Sequence, residues 1–150
     1  MTSFSIGDRP VPEPDERSRP FFDATLRGEL VLQHCGACGR WTWPVKSRCI
    51  DCLADGLRWE TASGRGTLYS FTLVHQLVHP GFKGEMPYNL ALVDLDEGVR
   101  IHTSIVGVPN EELRIGMPLS VVFVPASEQI AVPVFQPLSA PDGHQAASRI

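Results

Sequence analysis

Four cysteines stand in the order Cys35-x-x-Cys38 and Cys49-x-x-Cys52, and they are all the cysteine the chain has. A CxxC turn aims two thiolates inward from one tight knuckle, so two knuckles on a short hairpin can surround one ion with a tetrahedron of sulfur. Four thiolates leave no coordination position for water or substrate. An ion held this way crosslinks the chain and carries out no reaction. Zinc is the expected ion, and iron, which accepts the same four sulfurs, stays open at this point. Two other uses of the cysteines are weaker. Met1 to Glu16 is polar and proline-spaced where a secretory signal needs an apolar run, so a disulfide framework is not expected. Dithiol redox chemistry needs one CxxC, and here two are arrayed at ribbon spacing.

With every cysteine committed to metal, His34, His75, His79, His102 and His144 are the remaining groups that could do acid–base work. His75 and His79 lie four apart, a ligand spacing on a helix; on a strand it separates them by roughly 13 Å, too far to share an ion. His102 alternates outward beside Arg100 and Ser104 and reads as an ordinary surface histidine. No GxSxG, HExxH or phosphate-cradling glycine loop occurs. Independent catalysis is therefore not expected.

The elements that must position the sulfurs are small. A ribbon of about 35 residues buries too little apolar surface to fold alone, and metal binding on the order of 10 kcal/mol or more makes up the deficit. Leu30 to Gln33 is predicted as a strand entering the first knuckle, and Trp41 and Trp43 share a face that covers the ribbon's core and its metal. Ahead of it, Ser18 offers an N-cap, Pro20 suits a first helical turn, and Gly28 ends a short helix. Phe21 and Phe22 must then bury against either the protein's own ribbon or a partner subunit.

Beyond Gly64 the apolar period becomes two. The first predicted strand runs from about Thr67 to Val78, with Tyr69, Phe71, Leu73, His75 and Leu77 on its core face. Tyr88 to Leu95 is the second, Asp96-Glu97-Gly98 a hairpin turn, and Val99, Ile101, Thr103 and Ile105 the inward side of the third. A connector with one helical turn near Asn110 to Leu113 leads to short strands at Leu119–Val124 and Ile130–Phe135. The predicted architecture is mainly β: a short N-terminal helix, a rubredoxin-like zinc ribbon, and a C-terminal five-stranded OB-fold barrel. Domain limits are placed at 1–17 for a flexible tail, 18–62 for helix and ribbon, 63–138 for the barrel, and 139–150 for a second flexible tail.

The chain is 150 residues long with a formal net charge of −4. From Arg27 to Arg65 six basic residues oppose four acidic ones, whereas from Gly66 to Leu138 only Lys83, Arg100 and Arg114 oppose seven. An acidic barrel lacks the Lys/Arg clusters that phosphate-backbone binding needs. No run of 18 apolar residues exists, so no membrane span is expected and a cytoplasmic location is.

The residues together resemble a zinc-ribbon/OB-fold family, formerly a domain of unknown function, that accompanies thiolase-like acyl-CoA enzymes. The likeness is carried by CGACGRWTWPVKSRCIDC at 35–52, GRGTLYSFT at 64–72, MPYNLALVDLDEGVRI at 86–101 and IGMPLSVVF at 115–123, and spans about Phe21 to Leu138. Leu53 departs from it, standing where such ribbons often place glycine after the last cysteine. The resemblance implies a non-catalytic accessory subunit of a thiolase-like complex, performing acyl transfer or retro-aldol cleavage of acyl-CoA esters that include steroid side-chain intermediates. Two other functions compete. One is single-stranded nucleic-acid binding, suggested by fold alone and opposed by the acidic barrel. The other is a stand-alone acyl-CoA-binding module, with Arg40, Lys46 and Arg48 receiving CoA phosphates and Phe82 exposed in the 79–87 loop.

Overall fold

The chain enters its folded part through a capping box. In the computed structural model, which describes residues 6–138, Asp15 Oδ1 accepts the Ser18 N–H at 2.8 Å while Ser18 Oγ accepts the Asp15 N–H at 3.0 Å. Ser18 itself takes helical angles and makes no side-chain bond to the helix beyond it, so the cap lies one turn earlier than the sequence suggested. Helix α1 (Arg19–Leu26) carries Pro20 in its first turn. It ends in a Schellman arrangement: Gly28, at φ +74°, donates to Thr25 O and Glu29 donates to Ala24 O.

Two sheets follow. The ribbon sheet has order β2-β1-β3, with β1 (Val31–Cys35) central between β2 (Trp41–Thr42) and β3 (Leu57–Thr61), all antiparallel. The larger sheet has order β6-β5-β4-β7-β8, formed by β4 (Arg65–Val74), β5 (Tyr88–Leu95), β6 (Arg100–Thr103), β7 (Pro118–Pro125) and β8 (Ala131–Pro137). This sheet curls until its two edge strands meet at one parallel bridge, Ile105 to Phe135. Val106 N–H donates to Phe135 O and Phe135 N–H to Ser104 O there. Five strands in this order, nearly closed on themselves, make the OB-type barrel expected from the sequence.

One hydrophobic cluster runs through both parts. Phe21, Leu30 and Leu32 from the helix and ribbon join Leu68, Val93, Ile101, Leu119 and Phe135 from the barrel. Helix α1 sits at the seam, packed on β1, β7 and β8. Phe21 is buried and its ring lies 4.8 Å from that of Trp43, so of its two predicted uses the intramolecular one holds.

The first barrel strand departs from its predicted face. A register shift between Leu68 and Ser70 places Tyr69 in a bulge, where it is 48% exposed, and turns Leu68 fully inward. Phe71, after the bulge, returns to the core side. The strand ends at Val74, and Leu77, expected inside, is exposed. Residues 6–17 form no helix or strand, yet Ile6 is buried and Arg9 reaches Glu85 in an ion pair. The segment 139–150, expected as a tail, and His144 within it lie outside the described residues, as do residues 1–5.

Candidate metal centre and ribbon surface

The two knuckles are built alike. Cys35 N–H donates to Arg40 O at 2.8 Å, and its carbonyl accepts from Gly39 at 2.9 Å. Cys49 N–H donates to Ala54 O at 3.1 Å, and its carbonyl accepts from Leu53 at 3.0 Å. Gly39 and Leu53 therefore hold equivalent positions, and both have positive φ, +75° and +62°. Leu53 is the only non-glycine among the described residues with such an angle. Leu53 thus keeps the turn shape that glycine gives the first knuckle, at the cost of holding a branched side chain in a left-handed conformation.

The four sulfurs converge within 4.8 Å of one another, the one group among the described residues able to hold an ion. Across the ribbon Cys35 Sγ is 3.7 Å from Cys52 Sγ and Cys38 Sγ is 3.6 Å from Cys49 Sγ. A tetrahedral zinc with Zn–S of about 2.3 Å requires sulfur–sulfur edges of roughly 3.8 Å, and the two cross-ribbon edges are at that spacing. The knuckle backbone also prepares charge. N–H groups of Cys38 and Ala37 aimed at the Cys35 sulfur lower that thiol to about 6. At Cys38 the Arg40 N–H favours the thiolate but is outweighed by desolvation and the neighbouring thiols, which push it up to about 12. At Cys52 the Ala54 N–H is likewise overcome by desolvation and by Cys35 and Cys49, and its pKa is raised. Metal uptake must displace the protons these thiols hold, so affinity falls as pH falls.

Residues around the knuckles brace them. The buried Gln33 side chain accepts from Lys46 N–H at 2.7 Å and donates to Lys46 O at 2.9 Å, tying β1 to the segment that delivers Cys49. Sequence reasoning missed Gln33; a lone amide among the apolar residues of a central strand was the available signal. His34 Nε2 meets Gly39 O at 3.1 Å, Glu60 lies 3.2 Å from its Nδ1, and Trp41 packs against its ring. His79 Nδ1 accepts from Gly81 N–H at 3.0 Å, which caps the turn at Pro80–Phe82, and His75 is exposed past the end of β4.

Trp41 and Trp43 line a cleft of about 380 Å³ where the ribbon faces the barrel, together with Arg40, Ile50 and Asp51 on one side and the Glu97–Arg100 turn on the other. The residues predicted to meet a CoA ester are not gathered there. Arg40 lines the cleft, Lys46 is exposed, and Arg48 pairs with Asp55 at 2.9 Å. Phe82 is not the exposed aromatic expected. Its ring stacks on Tyr88 at 4.4 Å and is covered by the Arg9 guanidinium on its other side. The N-terminal segment runs close against this loop, with Asp8 O 2.6 Å from where a Cβ on Gly81 would stand.

Comparison with known proteins gives two family models in tandem: the ChsH2 rubredoxin-like zinc ribbon domain over residues 22–58 and the ChsH2 C-terminal OB-fold domain over 59–124. A probable enoyl-CoA hydratase alpha subunit from Thermomonospora curvata is 37% identical over 131 residues, 86% of this chain. The match spans only 40% of that longer protein. A DUF35 domain-containing scaffold protein from Methanocaldococcus jannaschii is 33% identical over 95 residues, 63% of this chain and 67% of that one. Among solved structures, a chain of an Ltp2-ChsH2(DUF35) aldolase superposes with a TM-score of 0.76 at 34% identity, covering 85% of this chain and 98% of that one. Among the described residues no helix is long and apolar enough to cross a membrane.

Proposed function

The chain belongs to the ChsH2/DUF35 family of zinc-ribbon and OB-fold proteins, and from that premise we propose that it is a non-catalytic accessory subunit of a thiolase-like acyl-CoA enzyme. In this reading Cys35, Cys38, Cys49 and Cys52 ligate one zinc ion, which when bound crosslinks the two knuckles and takes no part in the reaction. The observation that carries the reading is the closed sulfur shell. It uses every thiol, and no second cluster of titratable groups at ligand spacing occurs among the described residues. Reactivity toward an acyl-CoA must then come from a companion. The matched solved chain belongs to an Ltp2-ChsH2(DUF35) aldolase, and the relatives are a probable enoyl-CoA hydratase alpha subunit and a scaffold protein. The aldolase supports retro-aldol cleavage as the partner's reaction, and acyl transfer rests on the family resemblance alone. In this reading Arg40, which lines the cleft, and Lys46, exposed on the ribbon, would meet the phosphates of a partner-bound CoA.

Co-expression with a thiolase-like protein tests the proposal. A stable co-eluting complex that contains one zinc per chain and turns over an acyl-CoA only when both subunits are present is the expected result. A chain that stays alone beside every such protein and turns over an acyl-CoA by itself would sink it.

A further inference from the structure

Within each knuckle one cysteine is buried and one exposed: Cys35 and Cys49 lie inside, Cys38 and Cys52 at the surface. The two sulfur pairs that face each other across the ribbon each join one of either kind, Cys35 with Cys52 at 3.7 Å and Cys38 with Cys49 at 3.6 Å. We infer that the ribbon is a peroxide-reactive site in which Cys38 and Cys52 are oxidised first and Cys49 and Cys35 resolve them into cross-ribbon disulfides, releasing zinc. The inference rests on the zinc ligation proposed above.

The chemistry balances with hydrogen peroxide as the named oxidant. Zinc ligation would hold all four sulfurs as thiolates, so exposure and not proton affinity sets the order. The exposed Cys52 thiolate attacks one peroxide oxygen; an S–O bond forms, the O–O bond breaks and hydroxide leaves, so sulfur is oxidised by two electrons and peroxide reduced. The Cys35 thiolate then attacks the sulfenic sulfur, forming S–S as S–O breaks and a second hydroxide departs. Cys38 and Cys49 follow the same course. Four thiolates and two peroxides thus become two disulfides and four hydroxides, and the ion is left without donors. Each pair has to close by about 1.6 Å to reach disulfide bond length, a movement side-chain rotation and slight knuckle compression can supply. The N–H···O bonds inside each knuckle survive this pairing, because neither disulfide is drawn within one turn.

The test uses the full zinc-loaded chain, whose metal content is measured first. A chain that carries no zinc fails the ligation proposal instead, so the two failures are distinguishable. Hydrogen peroxide is then titrated while a chromogenic chelator reports free zinc, dimedone traps sulfenic acid, and peptide mass spectrometry maps the bridges. Complete zinc release at two equivalents of peroxide is expected, with dimedone on Cys38 and Cys52 and bridges 35–52 and 38–49. Dithiothreitol and added zinc should restore the starting state. Bridges within the knuckles, dimedone on Cys35 or Cys49 first, or zinc retained through a large excess of peroxide would each overturn the inference.

Discussion

In the ribbon no strand exceeds five residues and β2 has two, whereas in the barrel β4, β5 and β7 run for eight to ten. The ribbon's buried side chains in those strands are few, Val31, Leu32, Gln33, Cys35 and Thr42, while the barrel alternates buried residues along β4, β5 and β6 and fully buries Phe135 and Leu119. Short strands with little apolar area cannot offset the conformational entropy of ordering them, so the ribbon depends on a crosslink where the barrel depends on burial. The two meet in one cluster: Leu30 and Leu32 pack with the barrel's core, and α1 spans the seam. The barrel therefore provides a surface on which the metal-held ribbon is oriented. It leaves Trp41 and Trp43 facing a cleft whose other wall is the β5–β6 turn.

The comparison breaks most visibly by removing a ligand. Cys49→Ala should abolish stoichiometric zinc binding and melt the ribbon, while the far-ultraviolet β signal of the barrel persists. Metal analysis and amide exchange together check it, and a variant that still holds one zinc tightly defeats the ligand assignment. Phe135→Ala strikes the other region. Truncating a fully buried phenylalanine costs about 3–5 kcal/mol, so the barrel should lose most of a small domain's stability. Below its lowered melting temperature the variant should still carry one zinc per chain. Loss of zinc in step with barrel melting would show the two regions to be a single cooperative unit.

What was legible in the sequence divides along the same line. The cysteine spacing is dictated by coordination chemistry, and the four sulfurs it predicted to converge all lie within residues 35–52, so local turns bring them together. The Tyr88–Leu95 strand and the turn after it were read to the residue because an almost wholly apolar run stops at Asp96-Glu97-Gly98, but such a run does not say which face is buried: Asn89 lies inside and Leu90 is exposed. Tyr69 was misplaced because the bulge lets Leu68 and Phe71 both face the core with Tyr69 turned out between them, and nothing local in GRGTLYSFT announces the extra residue. Ser18 was misread because Asp15, one turn upstream in a polar stretch, competes for the same role. Phe82 depended on contact with Arg9, 73 positions away, which no local pattern encodes.

The knuckles allow a finer comparison inside the ribbon. Leu53→Gly would give the second turn the residue the first one has at Gly39, relieving a left-handed leucine that costs roughly 1 kcal/mol. Slower zinc loss to a competing chelator is expected from it. Gly39→Ala should do the reverse by a similar amount, about 1 kcal/mol, because the alanine must take φ +75°. Equal zinc-loss rates for both variants and the parent would mean that knuckle backbone strain does not reach the metal.

The smallest effect is expected at the seam, and it carries a pH signature. The Ser18 hydroxyl and backbone N–H both favour the charged form of Asp15, which lowers its pKa from 3.8 in the folded state. A carboxylate depressed on folding contributes stability fully above its unfolded value and loses it as pH falls through its folded one. Asp15→Ala should therefore lower the melting temperature slightly near neutral pH, and the gap between parent and variant should close as the solution is taken well below pH 3.8. Because α1 touches both the ribbon's β1 and the barrel's β7 and β8, fraying its start should loosen the docking of the two regions before either one unfolds. Amide exchange at α1 rising ahead of exchange at β5 would place the helix as the joint between them; a gap that stays constant through acid would show that the Asp15 carboxylate does not hold the helix start.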